Sequence, residues 1–509
     1  MKMLKNIPII LAALAAVATT SCLDKEPQAA IPQGEAMRTF EDAEQTVTGI
    51  YSLLKSGALY SGYLTLLPDI QTDLVYAVDG YSNTHGNIWQ WEIRSTNSEI
   101  EAVYAALNSI ISNCNFYLDH IDRVVAAQSN DERIETLDIY TGEVHAIRAL
   151  AYAELLKCYC KAYDPATAHN ELGVVLRSSF ADKSPKPRAS LYDSYQFVLA
   201  DLAKAEGLLD KDDDAHSSVF ITHAAAEALH ARVALYMQDW ETAIDYASRL
   251  INNKAFALSS ANTYYTDTMT YFDYMWNYDL ATEIIWRVGF TQTSYGGALG
   301  SLFLNYTNDY TYCYPDYVPA EWVLGLYGNN DMRYNSYFYS MQTGYAHGLV
   351  WPMLFKYFGN QDFISSALLY HVSMPKPFRL AEQYLIRAEA YCRKASPNFA
   401  AASADLSALR SQRIASGGGI NLTADNYIDH IADERVRELY MEGFRLNDIK
   451  RWGKLYNDGN GFTRKPQSNS LDEGSSLHVA ADDPLFVWPI PLHELEAPGS
   501  LVQPNESNK

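Results

Sequence analysis

Basic residues are scarce in this chain. It has 39 Lys and Arg against 61 Asp and Glu, which gives a formal net charge of -22. A surface with such an excess of negative charge repels phosphate backbones, and no stripe of Lys and Arg provides a local exception. The composition therefore argues against nucleic acid as a partner.

Cysteine is also rare, with six in 509 residues. Five of them lie beyond the N-terminal region, and their spacing matches neither a zinc knuckle nor a redox Cys-x-x-Cys pair. We expect all five to be buried thiols on helices. They are Cys114, Cys158, Cys160, Cys313 and Cys392.

Motifs of the common catalytic and nucleotide-binding sites are missing as well. The Glu and Leu after His493 lead to no second His, as a zinc protease would require. The glycines at 296–300 do not fit a dinucleotide-binding loop, and no Ser sits in a Gly-x-Ser-x-Gly elbow. The twelve histidines form no ligand cluster. We therefore expect a protein that is not an enzyme and has neither a metal nor a cofactor.

The N-terminal apolar run, residues 7–17, is too short to cross a bilayer, which takes about 20 residues. Together with Lys2 and Lys5 it is typical of the hydrophobic part of a secretory signal peptide. Such a segment is removed from the mature protein. We predict that residues 1–21 are this signal peptide.

Small residues then lead into Cys22 in the stretch "ATTSC". This stretch resembles a bacterial lipoprotein signal, in which the Cys is lipidated and becomes the mature N-terminus, although Thr19 stands where Leu is usual. An ordinary cleaved signal with a coincidental Cys is the alternative. We predict a lipidated Cys22 and a polar tether over residues 22–34.

Long helical patterns dominate the body of the chain. Apolar and small residues recur at three- and four-residue spacing, as in an amphipathic helix. The segments 224–251 and 381–410 resemble tetratricopeptide repeats, in which two helices meet at a short turn and small Ala residues permit close approach. Two further pairs have the same pattern, one over residues 40–54 and 99–121 and the other over residues 143–160 and 192–209. The fold predicted is mainly α, with a tetratricopeptide-like scaffold of about four degenerate helix pairs.

Residues 263–358 differ from the rest. They hold 17 of the 38 tyrosines and four tryptophans but only eleven charged side chains. Periodicity is poor and turn signals are frequent, which predicts loops with a few short strands, the best candidate being 283–290. We expect a helical scaffold over 35–262 and 359–452, an aromatic, loop-rich binding region over 263–358, and a loop-rich segment over 453–509.

The stretch "ERVRELYMEGFRLNDIKRWG", residues 434–453, is charged and aromatic together. As one helix it would place Glu434, Glu438, Glu442 and Arg445 on one arc. A glycosidase pair of Glu434 and Glu438 is conceivable from their spacing, but Arg side chains would crowd both carboxylates. We expect a packed structural helix whose charges are paired. Its partners should include Arg379, Glu382 and Glu389.

The same stretch carries a family resemblance. "ERVRELYMEGFRLNDIKRW" (434–452), "RLAEQYLIRAEA" (379–390) and "WPIPLHEL" (488–495) resemble the SusD/RagB family of outer-membrane nutrient-binding lipoproteins. The lipoprotein-like signal, the Cys114-Asn115 pair and "DMR" (331–333) agree with it. The last residues, "LVQPNESNK", only approximate the family's ending.

The resemblance implies a cell-surface lipoprotein of the outer membrane that binds glycans or, in some members, peptides. It also implies a partner, a TonB-dependent SusC-like barrel on which the protein sits as a lid and which imports the ligand. Family members are implied to be binding proteins rather than enzymes. A peptide-binding importer component, a surface glycosidase with acids such as Asp309 and Asp316, and a pure scaffold remain alternatives.

A glycan site needs aromatic platforms with polar groups at their rim. Two stretches provide this mixture, residues 77–91 and residues 293–314. The resemblance favours the first, because the loop before the Cys-Asn helix contributes to the family's binding face. Packing of these rings against the helices is the competing interpretation. The candidate ligand-binding residues are Tyr81, Asn83, His85 and Trp89 in the first stretch and Tyr295, Tyr306, Asn308, Asp309 and Tyr310 in the second.

Overall fold

The computed structural model describes residues 36–213, 215–305, 313–343, 350–467, 470 and 474–508. Helices dominate its first half. The helices are α1 (Phe40–Leu53), α2 (Tyr63–Ile70), α3 (Gly86–Trp89), α4 (Ser98–Ala126), α5 (Asp131–Tyr159), α6 (Leu191–Leu208), α7 (His223–Tyr236) and α8 (Trp240–Asn252). One short strand, β1 (Val75–Ala77), lies between α2 and α3.

Short helices and strands occupy the tyrosine-rich middle. In chain order these are α9 (Tyr271–Tyr278), β2 (Ile284–Trp286), β3 (Tyr317–Pro319), α10 (Glu321–Leu326), α11 (Arg333–Tyr337), β4 (Phe338–Gln342), β5 (Val350–Leu354), α12 (Gln361–Ala367) and β6 (Phe378–Arg379). Strand β2 lies within the stretch predicted to be a strand.

The last third returns to helices and ends in loops. Its elements are α13 (Leu380–Arg393), α14 (Phe399–Ser411), α15 (Tyr427–Leu439), α16 (Arg445–Trp452), β7 (Phe462–Arg464), β8 (Leu477–Val479) and α17 (Leu492–Leu495). The strands of the described chain form antiparallel two-stranded sheets, β1 with β3, β2 with β6, β4 with β5 and β7 with β8.

The predicted helix pairs are confirmed. Helices α1 and α4, α5 and α6, α7 and α8, and α13 and α14 pack against each other. Side chains at their starts accept hydrogen bonds from backbone N–H groups that have no partner in the first turn. Asn97 accepts from the N–H of Ile100 in α4, and Thr222 accepts from the N–H of Ala225 in α7. Between α7 and α8, Gln238 and Asp239 form the turn, and the buried Ala231, Ala243 and Ala247 allow the helices to approach closely. The fold is therefore mainly α and tetratricopeptide-like.

The five cysteines beyond the N-terminal region are buried free thiols, as predicted, but two are not on helices: Cys160 follows the end of α5, and Cys313 forms a β-bridge with Thr343. Burial raises the pKa of Cys158 to about 12, so its thiol stays protonated at neutral pH. These residues pack as small apolar groups.

The charged stretch at 434–452 is not one helix, which corrects the expectation. Helix α15 ends at Leu439, and Met441 and Gly443 adopt φ angles of 58° and 86° before α16 begins. A Cβ on Gly443 would come within 2.8 Å of the carbonyl oxygen of Leu64, so the backbones of this turn and α2 touch. Arg445 consequently leaves the arc of the glutamates and pairs with Asp73 at 3.1 Å.

The glutamates of α15 lie in a buried ionic cluster. Glu438 contacts the guanidinium groups of Arg379, Arg413 and Arg333 at 3.0, 2.9 and 3.1 Å. Burial works to raise the pKa of Glu438, but the three arginines outweigh it and hold the pKa well below its usual range. The carboxylate is therefore charged and fully paired in the core.

Two of the three residues expected to pair with this stretch do so, and the third pairs with another helix. Arg379 binds Glu438 and Glu442, as expected. Glu389 binds Arg451 and accepts a hydrogen bond from Trp452, as expected. Glu382, by contrast, pairs with Arg232 on α7 at 2.7 Å.

Candidate functional site

The loop after β1, residues 78–85, is fixed by the pairing of β1 with β3. This pairing aligns Ala77 with Tyr317 and so places the loop beside Asp316. The N–H of Val78 donates to the carbonyl of Asp316 at 3.0 Å. The N–H and the hydroxyl of Ser82 both donate to Oδ1 of Asp316, at 3.0 and 2.7 Å. One carboxylate thus holds the loop in place.

Tyr81 and Asn83 lie on the outer side of this loop. The hydroxyl of Tyr81 donates to Oδ1 of Asn83 at 2.7 Å, and its ring packs edge-on against Tyr317 with centroids 5.9 Å apart. Tyr81 is half-buried, whereas Asn83 is exposed and has a φ of 62°. Ser82 and Thr84 add two hydroxyls 2.8 Å apart. A ligand here would meet hydroxyl, amide and carboxylate groups beside one aromatic ring.

His85 lies beneath the loop rather than on it. Its side chain is 9% exposed, and its Nδ1 lies 3.0 Å from Glu99, near the start of α4. The hydrogen bond with His85 is the main cause that lowers the pKa of Glu99 to about 2, against a smaller opposing effect of burial. The ring also packs edge-on against Tyr63, 5.3 Å between centroids. His85 therefore connects the loop to α2 and α4.

Trp89 is a core residue, which corrects its prediction as an exposed platform. Its ring is 0% exposed and its Nε1–H donates to the carbonyl of Val75 at 3.1 Å. The guanidinium of Arg464 covers the ring at 4.7 Å, and a Cβ on Gly474 would lie 2.6 Å from it. Because the ring is fully buried, it has no face open for a ligand.

Tyr295 is exposed, at 43% of its surface. The loop around it is held by Lys55, whose Nζ donates to Ser294 at 2.9 Å, and by Ser61, whose hydroxyl accepts from the N–H of Gly297 at 2.9 Å. The loop carrying Tyr295 thus packs on residues 55–61, while His85 packs on the adjacent Tyr63. Both predicted stretches therefore rest on one short segment, residues 55–63, which follows α1 and ends at the first residue of α2.

The remaining four predicted residues lie outside the described residues. They are Tyr306, Asn308, Asp309 and Tyr310. The residues that flank them are described, and the N–H of Tyr314 donates to the carbonyl of Asn305 at 3.1 Å. The N–H of Asp316 donates to the carbonyl of Leu302 at 2.8 Å, so Asn305 and Tyr314 lie close to Asp316 and hence to the loop that carries Ser82. We call Tyr81–Thr84, Asp316 and the flanks Asn305 and Tyr314 the loop surface.

Sequence reasoning missed the role of Asp316 as the anchor of this surface. It considered Asp316 only as an acid of a glycosidase alternative. No local signal distinguishes an Asp that binds a distant loop from any other Asp in a tyrosine-rich stretch. The β1–β3 register supplies the missing information.

Other kinds of site receive no support from the part of the chain that the structure describes. There, no three His, Cys, Asp or Glu side chains are grouped so that they could hold a metal ion. Nor does any described helix have the length and apolar character needed to span a membrane.

Family models match two long parts of the chain. Residues 264–507 match the model described as "SusD family", and residues 22–235 match the model described as "Starch-binding associating with outer membrane". A curated relative, SusD-like protein P25 of Formosa agariphila, is 22% identical over 96% of this chain and 95% of its own length.

Solved structures share the fold. A SusD superfamily protein from Bacteroides thetaiotaomicron superimposes with a TM-score of 0.77 at 22% identity, covering 92% of this chain and 99% of that one. Surface glycan-binding protein A from Bacteroides uniformis gives a TM-score of 0.72 at 17% identity, covering 92% and 100%. A putative sugar-binding protein from Bacteroides vulgatus gives 0.72 at 22% identity, covering 93% and 100%.

Proposed function

The chain belongs to the SusD/RagB family, and from this premise we propose that it is a cell-surface glycan-binding lipoprotein of the outer membrane. It captures an oligosaccharide or polysaccharide and delivers it to a TonB-dependent SusC-like transporter. The observation that carries the glycan part is the loop surface, where hydroxyl, amide and carboxylate groups stand beside Tyr81.

The chemistry of this surface suits a sugar. A pyranose ring presents apolar C–H faces, which pack on aromatic rings, and hydroxyl edges, which hydrogen-bond to polar side chains. Asn83 and Thr84 can accept and donate such bonds, and Oδ2 of Asp316 is free of hydrogen bonds to any of the described residues. Tyr295 adds an exposed ring on the neighbouring loop. We propose that Tyr306, Asn308, Asp309 and Tyr310 complete the contact set from the adjoining segment.

Burial of the motif carboxylates supports a binding role over catalysis. Glu434 and Glu438 are both 0% exposed, and arginine side chains occupy their oxygens. A glycosidase needs its two carboxyl groups on either side of a bond that enters an open cleft. These two carboxylates cannot meet a substrate without unfolding of the core.

The anchor that we propose is a lipid on Cys22. The described chain begins at Ala36, where the backbone carbonyls of Ala36 and Met37 accept hydrogen bonds from Arg123 near the end of α4. Helix α1 then runs for 14 residues, about 21 Å, to the segment on which both predicted stretches rest. A tether from Cys22 would therefore enter the fold at the opposite end of α1 from that segment.

Affinity electrophoresis tests the proposal on the chain that lacks residues 1–22. Native gels would contain amylopectin, galactomannan, xyloglucan or laminarin, four neutral polysaccharides. We expect at least one polymer to retard the protein, with micromolar or weaker affinity. The Tyr295→Ala variant and the Tyr306→Ala/Tyr310→Ala variant should be retarded less.

Two results would count against the proposal. Unchanged migration in every polysaccharide would remove the glycan-binding function. New reducing ends after incubation with a polymer would show that the protein cleaves its ligand. A matched control is Tyr192→Ala on α6, which replaces a partly buried scaffold tyrosine and should migrate like the unaltered chain.

A further inference from the structure

A second group of tyrosines stands apart from the loop surface. Tyr264, Tyr265 and Tyr271 are three of the few large apolar side chains exposed in the described residues, and they fall within eight positions of each other. Exposed aromatic groups this close together are unusual on a protein that has no use for them. Their spacing also continues into α9, where Tyr274 and Tyr278 follow Tyr271 at three and seven residues.

The backbone that carries these tyrosines is well defined. The N–H of Tyr271 donates to the carbonyl of Thr263 at 3.1 Å, and the N–H of Tyr265 donates to the carbonyl of Met269 at 2.7 Å. The turn therefore closes on itself before the helix begins. Thr270 and Asp273 then form a reciprocal capping box at the start of α9. The turn is thus joined to the helix by hydrogen bonds on both sides of Thr270.

The rings form a continuous series, which we call the tyrosine row: Tyr271, Tyr265, Tyr274 and Tyr278. The centroid of the Tyr265 ring lies 5.7 Å from that of Tyr271 and 4.4 Å from that of Tyr274. Tyr274 and Tyr278 are stacked at 4.8 Å, with an angle of 25° between their planes. The ring of Tyr274 therefore packs against both Tyr265 and Tyr278 and restricts the movement of the Tyr265 ring.

This support leaves two rings open. Tyr265 is 51% exposed and Tyr271 is 46% exposed, although each contacts its neighbour. A free surface tyrosine loses rotamer freedom when a ligand immobilises it. Here the neighbouring rings already restrict the side chains, so a ligand that stacks on them has less conformational entropy to overcome. The tyrosine row is therefore a preorganised stacking surface.

The charges around the row are acidic. Asp267 is exposed in the turn, and Asp273 accepts from Thr270 and from Ser336. Burial is the main cause that raises the pKa of Tyr274, and the nearby Tyr265 and the carboxylate of Asp362 on α12 raise it further. Carboxylates of this kind repel anions and accept hydrogen bonds from hydroxyl groups. The platform therefore suits a neutral, hydroxyl-rich chain and disfavours a sulfated or uronic-acid polymer.

Helix α12 contacts both α9, which carries part of the row, and the loop that carries Tyr295. Its Asp362 is close enough to Tyr274 to raise the pKa of that hydroxyl. One turn further along the same face, its Ser366 accepts a hydrogen bond at 2.6 Å from Gln292, which lies three residues before Tyr295. A helix of seven residues is about 10 Å long, so the two aromatic surfaces are neighbours on the molecule.

We propose that the tyrosine row is a second contact site for a neutral polysaccharide. It is separate from the loop surface, and it binds another part of the same polysaccharide molecule. This inference rests on the proposed glycan-binding function. Two weak sites that hold one polymer raise the overall affinity, because the second contact forms at high effective concentration. A short oligosaccharide that fills the loop surface alone gains nothing from the row.

The test compares a polymer with a short oligomer on the chain lacking residues 1–22. The variant is Tyr265→Ala/Tyr271→Ala, and Tyr265→Phe/Tyr271→Phe keeps the rings while it removes the hydroxyls. Tyr192→Ala is the matched control. Retardation is measured in the polysaccharide that retards the unaltered chain most, and calorimetry measures binding of a heptasaccharide of the same sugar. Far-UV circular dichroism and the urea midpoint establish that each variant is folded.

We expect the double Ala variant to lose about tenfold or more of its affinity for the polymer. Its affinity for the heptasaccharide should stay within about twofold, because the loop surface is intact. The double Phe variant should keep most of its polymer affinity, because the stacking surface remains. This combination would support a second site.

Three other results would overturn the inference. Equal polymer affinity in the unaltered chain and the double Ala variant would show that the row is not used, while the proposed function would stand. An equal loss for polymer and heptasaccharide would make the row part of the loop surface. A dimer of the unaltered chain that the double Ala variant abolishes in sedimentation would assign the row to contact between copies. Absence of binding by the unaltered chain would instead refute the proposed function, and the inference would fall with it.

Discussion

Ser82 donates two hydrogen bonds to one oxygen of Asp316, although the two residues are 234 positions apart in the chain. One bond comes from the backbone N–H and the other from the hydroxyl. Together with the bond from Val78 to the carbonyl of Asp316, they fix the loop after β1 against the residues that follow the 306–312 segment. The candidate glycan-binding surface is thus assembled from two distant stretches by one acidic side chain.

Replacement of Asp316 by Ala should loosen this surface. The variant leaves the N–H and the hydroxyl of Ser82 without their acceptor, and hydrogen bonds to a charged group contribute about 1.5–3 kcal/mol. Part of this loss should appear as weaker glycan binding, by about 5- to 30-fold, and the rest as a lower urea midpoint. Asp316→Asn keeps an acceptor oxygen and should lose less. Equal glycan affinity in Asp316→Ala and the unaltered chain would show that the loop does not contribute to binding.

Trp89→Ala should act on stability rather than on ligand contact. Removal of a fully buried Trp leaves a cavity and costs about 3–5 kcal/mol in the free energy of unfolding. Phe220→Ala is the control, because Phe220 is 57% exposed and its ring packs edge-on against Tyr51 at the surface. Urea unfolding measures both. A Trp89→Ala chain of normal stability that has lost glycan binding would restore Trp89 as a ligand platform.

Glu438→Gln should destabilise the chain strongly. The substitution removes a negative charge from among Arg379, Arg413 and Arg333, and breaking a buried ion pair costs about 3–5 kcal/mol. Glu241→Gln makes the same change at the surface, where the carboxylate pairs with Lys394 but is largely exposed. That control should change the free energy of unfolding by no more than about 0.5 kcal/mol. Similar urea midpoints for the two variants would contradict a structural role for the cluster.

Acid should unfold the protein only well below the ordinary pKa of glutamate. Burial opposes ionisation of Glu434, but Arg333, Arg437 and Arg410 outweigh it and lower its pKa far below the reference value of 4.5. A carboxyl whose pKa is lower in the folded state stabilises the fold above its unfolded pKa. That contribution declines as pH falls below about 4.5 and is lost once pH has fallen through the folded pKa. Urea unfolding at pH 7, 4 and 3 should show the loss of stability mainly between the last two values.

Cys22→Ala should release the protein from the membrane fraction. Without the thiol no acyl group can be attached, and a protein anchored only by lipid then loses its attachment. Cys114→Ala is the control, because this thiol is buried in the core and the variant should fractionate normally. Immunoblots of membrane and soluble fractions provide the measurement. Retention of Cys22→Ala in the membrane fraction would refute the anchor.

The helical scaffold could be predicted from the sequence because its signals are local. Helices such as α7 and α8 are indicated by apolar spacing and by an Ala-rich interface within about thirty residues. The buried thiols were equally predictable, since their spacing matches neither a zinc site nor a redox pair. The break between α15 and α16 was not predicted. It depends on a backbone contact between Gly443 and Leu64, and nothing near Gly443 in the chain signals that contact.

The orientation of aromatic residues lay beyond the sequence for the same reason. Trp89 and Tyr81 stand in one Gly- and Asn-rich loop, yet Trp89 is buried and Tyr81 is only half-buried. The difference comes from Arg464, 375 positions away, whose guanidinium covers the indole ring. The tyrosine row shows the opposite outcome. Its sequence pattern is equally compatible with burial in the core, yet Tyr265 and Tyr271 are exposed.

The sequence by itself determined the helix pairs, the excess of acidic charge and the family, because periodicity, composition and a long motif are properties of neighbouring residues. Only the tertiary structure decided which carboxylates are buried with arginines, which rings are exposed, and which Asp holds the loop surface. Those outcomes depend on partners that are distant in the chain, from 25 positions for Arg413 and Glu438 to 375 positions for Arg464 and Trp89. Burial and pairing are properties of the packed chain, since the free energy of a side chain follows from what covers it.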